Sequence, residues 1–193
     1  MVTTTGQVGR PRSEQARDAV LHAVDDLLLE VGYAAMTMKG IAERAGVGRQ
    51  TVYRWWSHKA EILLEASVAD AQEELAVPPT GSALNDLTAY LQALVTFLTR
   101  SPAGVAYRAL IAAAQHATAV ATLIATSDVL GASSRAVLTR MTGEGTHVGD
   151  LDRASALLVG PVFYWVMSGR DPLRLQAADL AQEFLRAVAV DQG

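Results

Sequence analysis

The stretch Thr37–Lys59, T-M-K-G-I-A-E-R-A-G-V-G-R-Q-T-V-Y-R-W-W-S-H-K, decides the fold. Thr37 is placed to cap a short helix whose inner face is Ile41, Ala42 and Ala45 at helical spacing. Gly46 stands where a positive φ turns the chain without a Cβ penalty, and Val47 fills the space beneath that turn. A second short helix follows. Val52 and Trp56, four apart, share its buried side. Arg49, Gln50, Thr51, Tyr53 and Arg54 are left facing outward, a density of hydrogen-bonding side chains suited to a DNA major groove. The spacing predicts a helix-turn-helix that reads DNA; an ordinary surface helical hairpin with a polar outer face is the alternative.

Upstream, Gly9-Arg10-Pro11-Arg12 predicts an extended basic arm able to follow a minor groove, because proline restricts the residue before it. Ser13 then reads as an N-cap. Val20, Leu21, Val24, Leu27, Leu28 and Val31 predict an amphipathic helix that Gly32 ends. Downstream, Ser57 reads as the cap of a helix over Ala60–Leu75, with Lys59 at its start where a cation and helix amides could grip a phosphate. The run Val77-Pro78-Pro79-Thr80-Gly81 is the clearest break in the chain.

Beyond it, helical periodicity continues and no alternating strand pattern appears. Helices are predicted over Ser82–Arg100, Ala103–His116, about Ala119–Thr142, a segment capped by Asp150 or Asp152 that runs through Met167, and about Leu175–Val190. Gly143–Gly149 reads as a loop. The expected class is all-α, with about nine helices.

Composition bounds the rest. The 193 residues are half hydrophobic and 19% charged, enough for a substantial core. With no cysteine, disulfides, Cys-type zinc sites and thiol catalysis are excluded. No secretory signal is visible at the start, and the uncharged run between Arg153 and Arg170 is interrupted by Gly160 and Pro161. A cytoplasmic chain with no membrane association is expected. The net charge of −4 divides unevenly: residues 1–60 hold eight Lys/Arg and six Asp/Glu (+2), and residues 61–193 hold eight and fourteen (−6). A basic head on an acidic body fits a polyanionic partner for the head alone. His22, His58, His116 and His147 are scattered without ligand spacing, so no metal, cofactor or catalytic residue is expected; a small-molecule enzyme is the weakest reading. A helical protein-interaction adaptor that uses the Arg49–Arg54 surface without DNA is the stronger rival.

The block I-A-E-R-A-G-V-G-R-Q-T-V-Y-R-W-W-S-H-K (residues 41–59) resembles the DNA-binding signature of the TetR family of one-component bacterial transcriptional regulators. Gly48, where that family commonly has serine, and Trp55, where histidine is frequent, depart from the pattern. The resemblance implies base-edge or nearby phosphate contacts by Lys39, Arg49, Gln50 and Thr51, and phosphate clamping by Tyr53 and Lys59. Gly48, Arg54 and His58 complete the expected DNA surface together with Arg10 and Arg12. Trp55 can donate to a phosphate or pack on the first helix.

The segment L-L-V-G-P-V-F-Y-W-V-M-S-G (residues 157–169) resembles one subgroup of the same family. In the family, the last two long helices form a four-helix bundle across a two-fold axis. That implies a homodimer on double-stranded operator DNA, with Leu158, Val162, Val166, Leu180 and Phe184 as interface candidates. It also implies an unknown small-molecule effector, for which Phe97, Tyr107, Gln115, His116, Phe163 and Trp165 are candidates, although each also fits a core position. The expected organisation is a flexible arm (1–12), a helix-turn-helix domain (13–59), a connecting helix (60–76) and an effector-binding and dimerisation domain (77–193). Repression, with release by the effector, is the expected mode.

Overall fold

The computed structural model describes residues 10–143 and 148–190, with ten α-helices and no strand among them. The chain forms two compact units, Met1–Ala66 and Ser67–Gly193. The boundary falls inside one continuous helix.

The first unit holds α1 (Arg10–Ala35), α2 (Met38–Arg44), α3 (Arg49–Trp55) and the start of α4 (Lys59–Glu74). The expected extended arm is corrected at its end: α1 begins at Arg10, so Arg10–Arg12 have helical backbone and Ser13 lies inside the helix rather than capping it. Pro11 is tolerated there because a first-turn residue has no intrahelical acceptor for an N–H. The groove-contact expectation for Arg10 and Arg12 concerns side chains outside the described set, as does the arm before them. Gly32, with φ 75°, interrupts α1, and a last turn runs on to Ala35. Val20, Ala23, Val24 and Leu28 of α1 are buried with Met36, Ile41, Ala42, Val52, Trp56 and Ile62. Val31, expected inward, is 49% exposed because it comes just before the Gly32 break.

The second unit is built around α5 (Ala83–Arg100), which packs against α6 (Pro102–Ala114), α8 (Val129–Gly143), α9 (Leu151–Met167) and α10 (Ala177–Val190). Leu87, Leu91, Leu94 and Leu98 repeat along it at helical spacing and are fully buried, as are Tyr90 and Phe97. Ser82 caps α5 by accepting from the Asn85 N–H at 3.4 Å. The buried Asp86 carboxylate accepts from both the Thr80 N–H (2.8 Å) and hydroxyl (2.6 Å), which fastens the Pro-rich linker to the first turn of α5. Ser101 accepts from the Gly104 N–H at 3.2 Å and donates to Glu74 at 2.7 Å. A Cβ on Gly104 would sit 1.7 Å from the Phe97 carbonyl oxygen, so the α5–α6 corner closes only with glycine.

The single helix expected over Ala119–Thr142 is two helices, α7 (Thr118–Ser127) and α8, broken at Asp128 in the left-handed region (φ 43°). The Asp128 carboxylate is held by Arg135, whose other guanidinium nitrogen reaches Asp152 at 3.0 Å; this ion pair fixes a bend that neither proline nor glycine marks. Residues 144–147 of the predicted loop lie outside the described residues. The Asp150 cap is as expected, accepting from the Arg153 N–H at 2.8 Å. The final helix starts at Ala177 rather than Leu175, after a 3-10 turn at Pro172–Arg174 capped by Asp171. No helix among the described residues is long and apolar enough to cross a membrane.

Candidate nucleic-acid interface

Within the first unit, α2 and α3 are set by the features that the sequence marks. The Thr37 hydroxyl accepts from the Gly40 N–H at 3.0 Å. Gly46 adopts φ 67°, and the Val47 N–H returns to the Ala42 carbonyl at 3.0 Å, closing the turn. Gly48 has the extended backbone of an N-cap but no side chain to complete it.

Val52 is fully buried and Trp56 is 4% exposed, so one side of α3 faces the core. The Trp56 indole donates to Glu65 at 3.0 Å, and the same carboxylate receives Arg17 of α1 at 2.7 Å. The other side of α3 presents Arg49, Gln50, Tyr53 and Arg54 to solvent, with Thr51 half-buried beside them. Lys39 lies on the surface of α2, 3.5 Å from Glu43. Trp55 is half-buried, edge-on to Trp56 with ring centroids 5.4 Å apart, and carries the Arg54 guanidinium over its face at 5.2 Å. His58 is half-buried and 3.6 Å from Glu61.

Lys59 corrects the sequence reading. Its ammonium turns inward, donating to the carbonyls of Tyr33 (2.6 Å), Met36 (2.8 Å) and Ala34 (3.4 Å), and it lies 4.3 Å from the centre of the Tyr33 ring. An ammonium has three donors, and three carbonyls lie within reach of them. Burial pushes its pKa below the usual lysine range. Lys59 therefore latches the end of α1 to the start of α4. Arg44 works alongside it: the guanidinium makes a two-pronged contact with Glu30 and reaches Asp26 at 3.4 Å, tying α2 back onto α1. Arg44 holds the Glu30 carboxyl below the usual glutamate range. Neither tether has a local sequence signature, since each spans a dozen residues or more.

The six effector candidates do not converge. Phe97 and Tyr107 pack on each other in the core, with ring centroids 5.9 Å apart, and burial pushes the Tyr107 phenol up to about 12. Gln115 and His116 are exposed at the end of α6, while Phe163 and Trp165 are half-buried on α9. Trp165 donates its indole N–H to the Asp171 carbonyl at 2.8 Å. A cavity of about 240 Å³ instead lies between the end of α4, the following linker and α8, and none of the six lines it.

The interface candidates fall into two groups. Leu158, Val162 and Phe184 are buried in the second unit's own core, and Val166 and Leu180 pack against it, because α9 turns this side toward α5. The outward face of α9 is Leu157 (45% exposed), Pro161, Tyr164 (59%) and Met167 (38%). Their three- and four-residue spacing was readable in the sequence; which of the two apolar faces turned inward was not.

Comparison with known proteins agrees with this architecture. The profile described as bacterial regulatory proteins, tetR family, matches residues 20–66, and that of the tetracyclin repressor-like C-terminal domain matches residues 77–187. The chain is 36% identical over 160 residues to the uncharacterized HTH-type transcriptional regulator YdeS of Bacillus subtilis strain 168, covering 81% of this chain and 80% of YdeS. A crystal structure of the TetR family transcription regulator SCO0332 is 30% identical, with a TM-score of 0.73 over 90% of this chain and 98% of that one. RolR in complex with resorcinol shares the fold at 20% identity and a TM-score of 0.59, over 92% of this chain and 89% of RolR.

Proposed function

Because the chain belongs to the TetR family of helix-turn-helix transcriptional regulators, we propose that it is a homodimeric repressor, active in the cytoplasm, that binds a palindromic operator and leaves it when a small molecule binds the second unit. The observation that carries the DNA half is the division of α3: Val52 and Trp56 inward, Arg49, Gln50, Tyr53 and Arg54 outward. The outer set combines guanidinium, amide and phenol groups on two turns, the chemistry that reads base edges and phosphates. Arg49, Gln50 and Thr51 are assigned to base edges. Lys39, Tyr53 and Arg54 are assigned to the backbone, with Gly48, Trp55 and His58 at the margin.

The helix-turn-helix domain runs over residues 13–59, α4 connects, and residues 77–193 bind the effector and the second copy. The dimer half rests on the outer face of α9, where Leu157, Tyr164 and Met167 form an apolar strip that a second copy would cover. Two heads on one axis match a two-fold operator. The effector half is supported by the cavity of about 240 Å³ in the second unit, and by a shared fold in which RolR holds resorcinol.

DNA retention across a salt series tests the reading. Affinity should fall steeply with salt, and Lys39→Ala or Arg54→Ala should reduce the slope by ~0.9 for each phosphate that is no longer neutralised. Absence of retention at low salt would refute DNA binding and favour a protein-interaction adaptor.

A further inference from the structure

We infer that the cavity between the end of α4 and α8 is a binding site for a small organic carboxylate, held by Arg140. The inference rests on the reading that the second unit takes an effector, and it names the chemistry of that effector. The opening exists because α8 carries Ala132, Ser133 and Ala136 on the side that lines it, leaving a notch where larger side chains would close the space. Leu75, Val129 and Val137 supply apolar walls.

Arg140 is the cation in this lining, and it is incompletely satisfied. One terminal nitrogen donates to the Val77 carbonyl at 3.0 Å, and the other reaches the Ala136 carbonyl only at 3.5 Å. The Nε–H is buried and has no acceptor. No carboxylate among the described residues pairs with this guanidinium. A planar guanidinium with a free edge is matched by a carboxylate, which accepts two parallel N–H bonds and neutralises the charge. A buried N–H without an acceptor is unfavourable, so the site gains from an anion that reaches the Nε edge.

The remaining lining limits the ligand further. One cation against largely apolar walls suits a single negative charge on an apolar body rather than a phosphate or a dicarboxylate. The volume of about 240 Å³ is below the ~300–1,000 Å³ of pockets for drug-sized molecules, so that body is compact: one ring or a short alkyl chain. Leu75 directly follows α4, and Gln72 lies on it, so a bound molecule touches the helix that begins at Lys59.

The test uses the full-length protein without DNA, titrated calorimetrically with benzoate and benzamide and with hexanoate and hexanamide. Each carboxylate should bind about tenfold or more tightly than its amide. Arg140→Met should remove that gap, and Ala136→Leu, which fills the cavity, should abolish binding of all four while the helical circular dichroism is retained. Equal binding of acid and amide, a gap that survives Arg140→Met, binding that survives Ala136→Leu, or no binding of any probe at millimolar concentration would each overturn the proposal. DNA affinity measured with and without benzoate separates the two readings: binding without any change in DNA affinity supports the carboxylate site and defeats effector release.

Discussion

Helices α3 and α9 solve opposite problems with the same device. Each buries one side in its own unit, through Val52 with the adjoining Trp56 in α3 and through Leu158 and Val162 in α9. They differ in what is left outside. The exposed side of α3 carries arginines, an amide and a phenol, whereas that of α9 carries Leu157, Tyr164 and Met167. A polar outer face is stable in water and needs a partner only for function. An apolar one gains free energy from being covered, at about 25 cal/mol per Å² of apolar surface removed from water. Under the proposed function, the first unit would bind and release its partner, and the second would stay associated with a second copy.

Substitutions at the buried side of the head should have the largest effect. Trp56→Ala is expected to cost about 3–5 kcal/mol of stability, seen as a lower midpoint in urea, and to abolish DNA retention by dismantling the base on which α3 rests. A stable, DNA-binding variant would mean that α3 is held by something other than its buried face. Lys59→Met comes next. It leaves up to three carbonyls without their donor and should cost about 1–3 kcal/mol, while the salt slope of DNA binding stays unchanged. A slope reduced by ~0.9 per head would instead return Lys59 to the DNA surface.

The α9 face gives a change in assembly with a smaller cost to the fold. Leu157→Glu combined with Tyr164→Glu should halve the mass by light scattering while helicity is kept, since both side chains are largely exposed within one chain. A dimer of unchanged mass would move the interface to another surface. The smallest effect concerns acid. Arg44 lowers the folded-state pKa of Glu30, so its contribution is present above the unfolded value and fades as pH falls through about 4.3 and on through the lowered one. Glu30→Gln should therefore lose less thermal stability than the parent between pH 7 and pH 3. Parallel losses would show that the ion pair contributes nothing.

Much of this was legible in the sequence because it is local. The cap at Thr37, the turn at Gly46, the inward pair Val52 and Trp56 and the helical register of α5 all depend on residues within a turn or two of one another. What escaped is set at a distance. The bend at Asp128 interrupts a run with unbroken helical periodicity and is fixed by Arg135, itself shared with Asp152 of α9. Lys59 finds its carbonyls more than twenty residues upstream, and Arg140 finds Val77 across 63 positions. In α9, apolar nearly all round, periodicity could not say that Val162 faces α5 and Leu157 the solvent.

Whether the outer face of α3 reads DNA sequence can be decided by selecting duplexes from a random pool with the purified full-length protein. A two-fold symmetric consensus should be enriched, with Gln50→Ala losing ~1–3 kcal/mol of discrimination at one base pair in each half and keeping the rest. A pool that stays random through successive rounds, or a consensus that Gln50→Ala, Arg49→Ala and Thr51→Ala all leave intact, would contradict it.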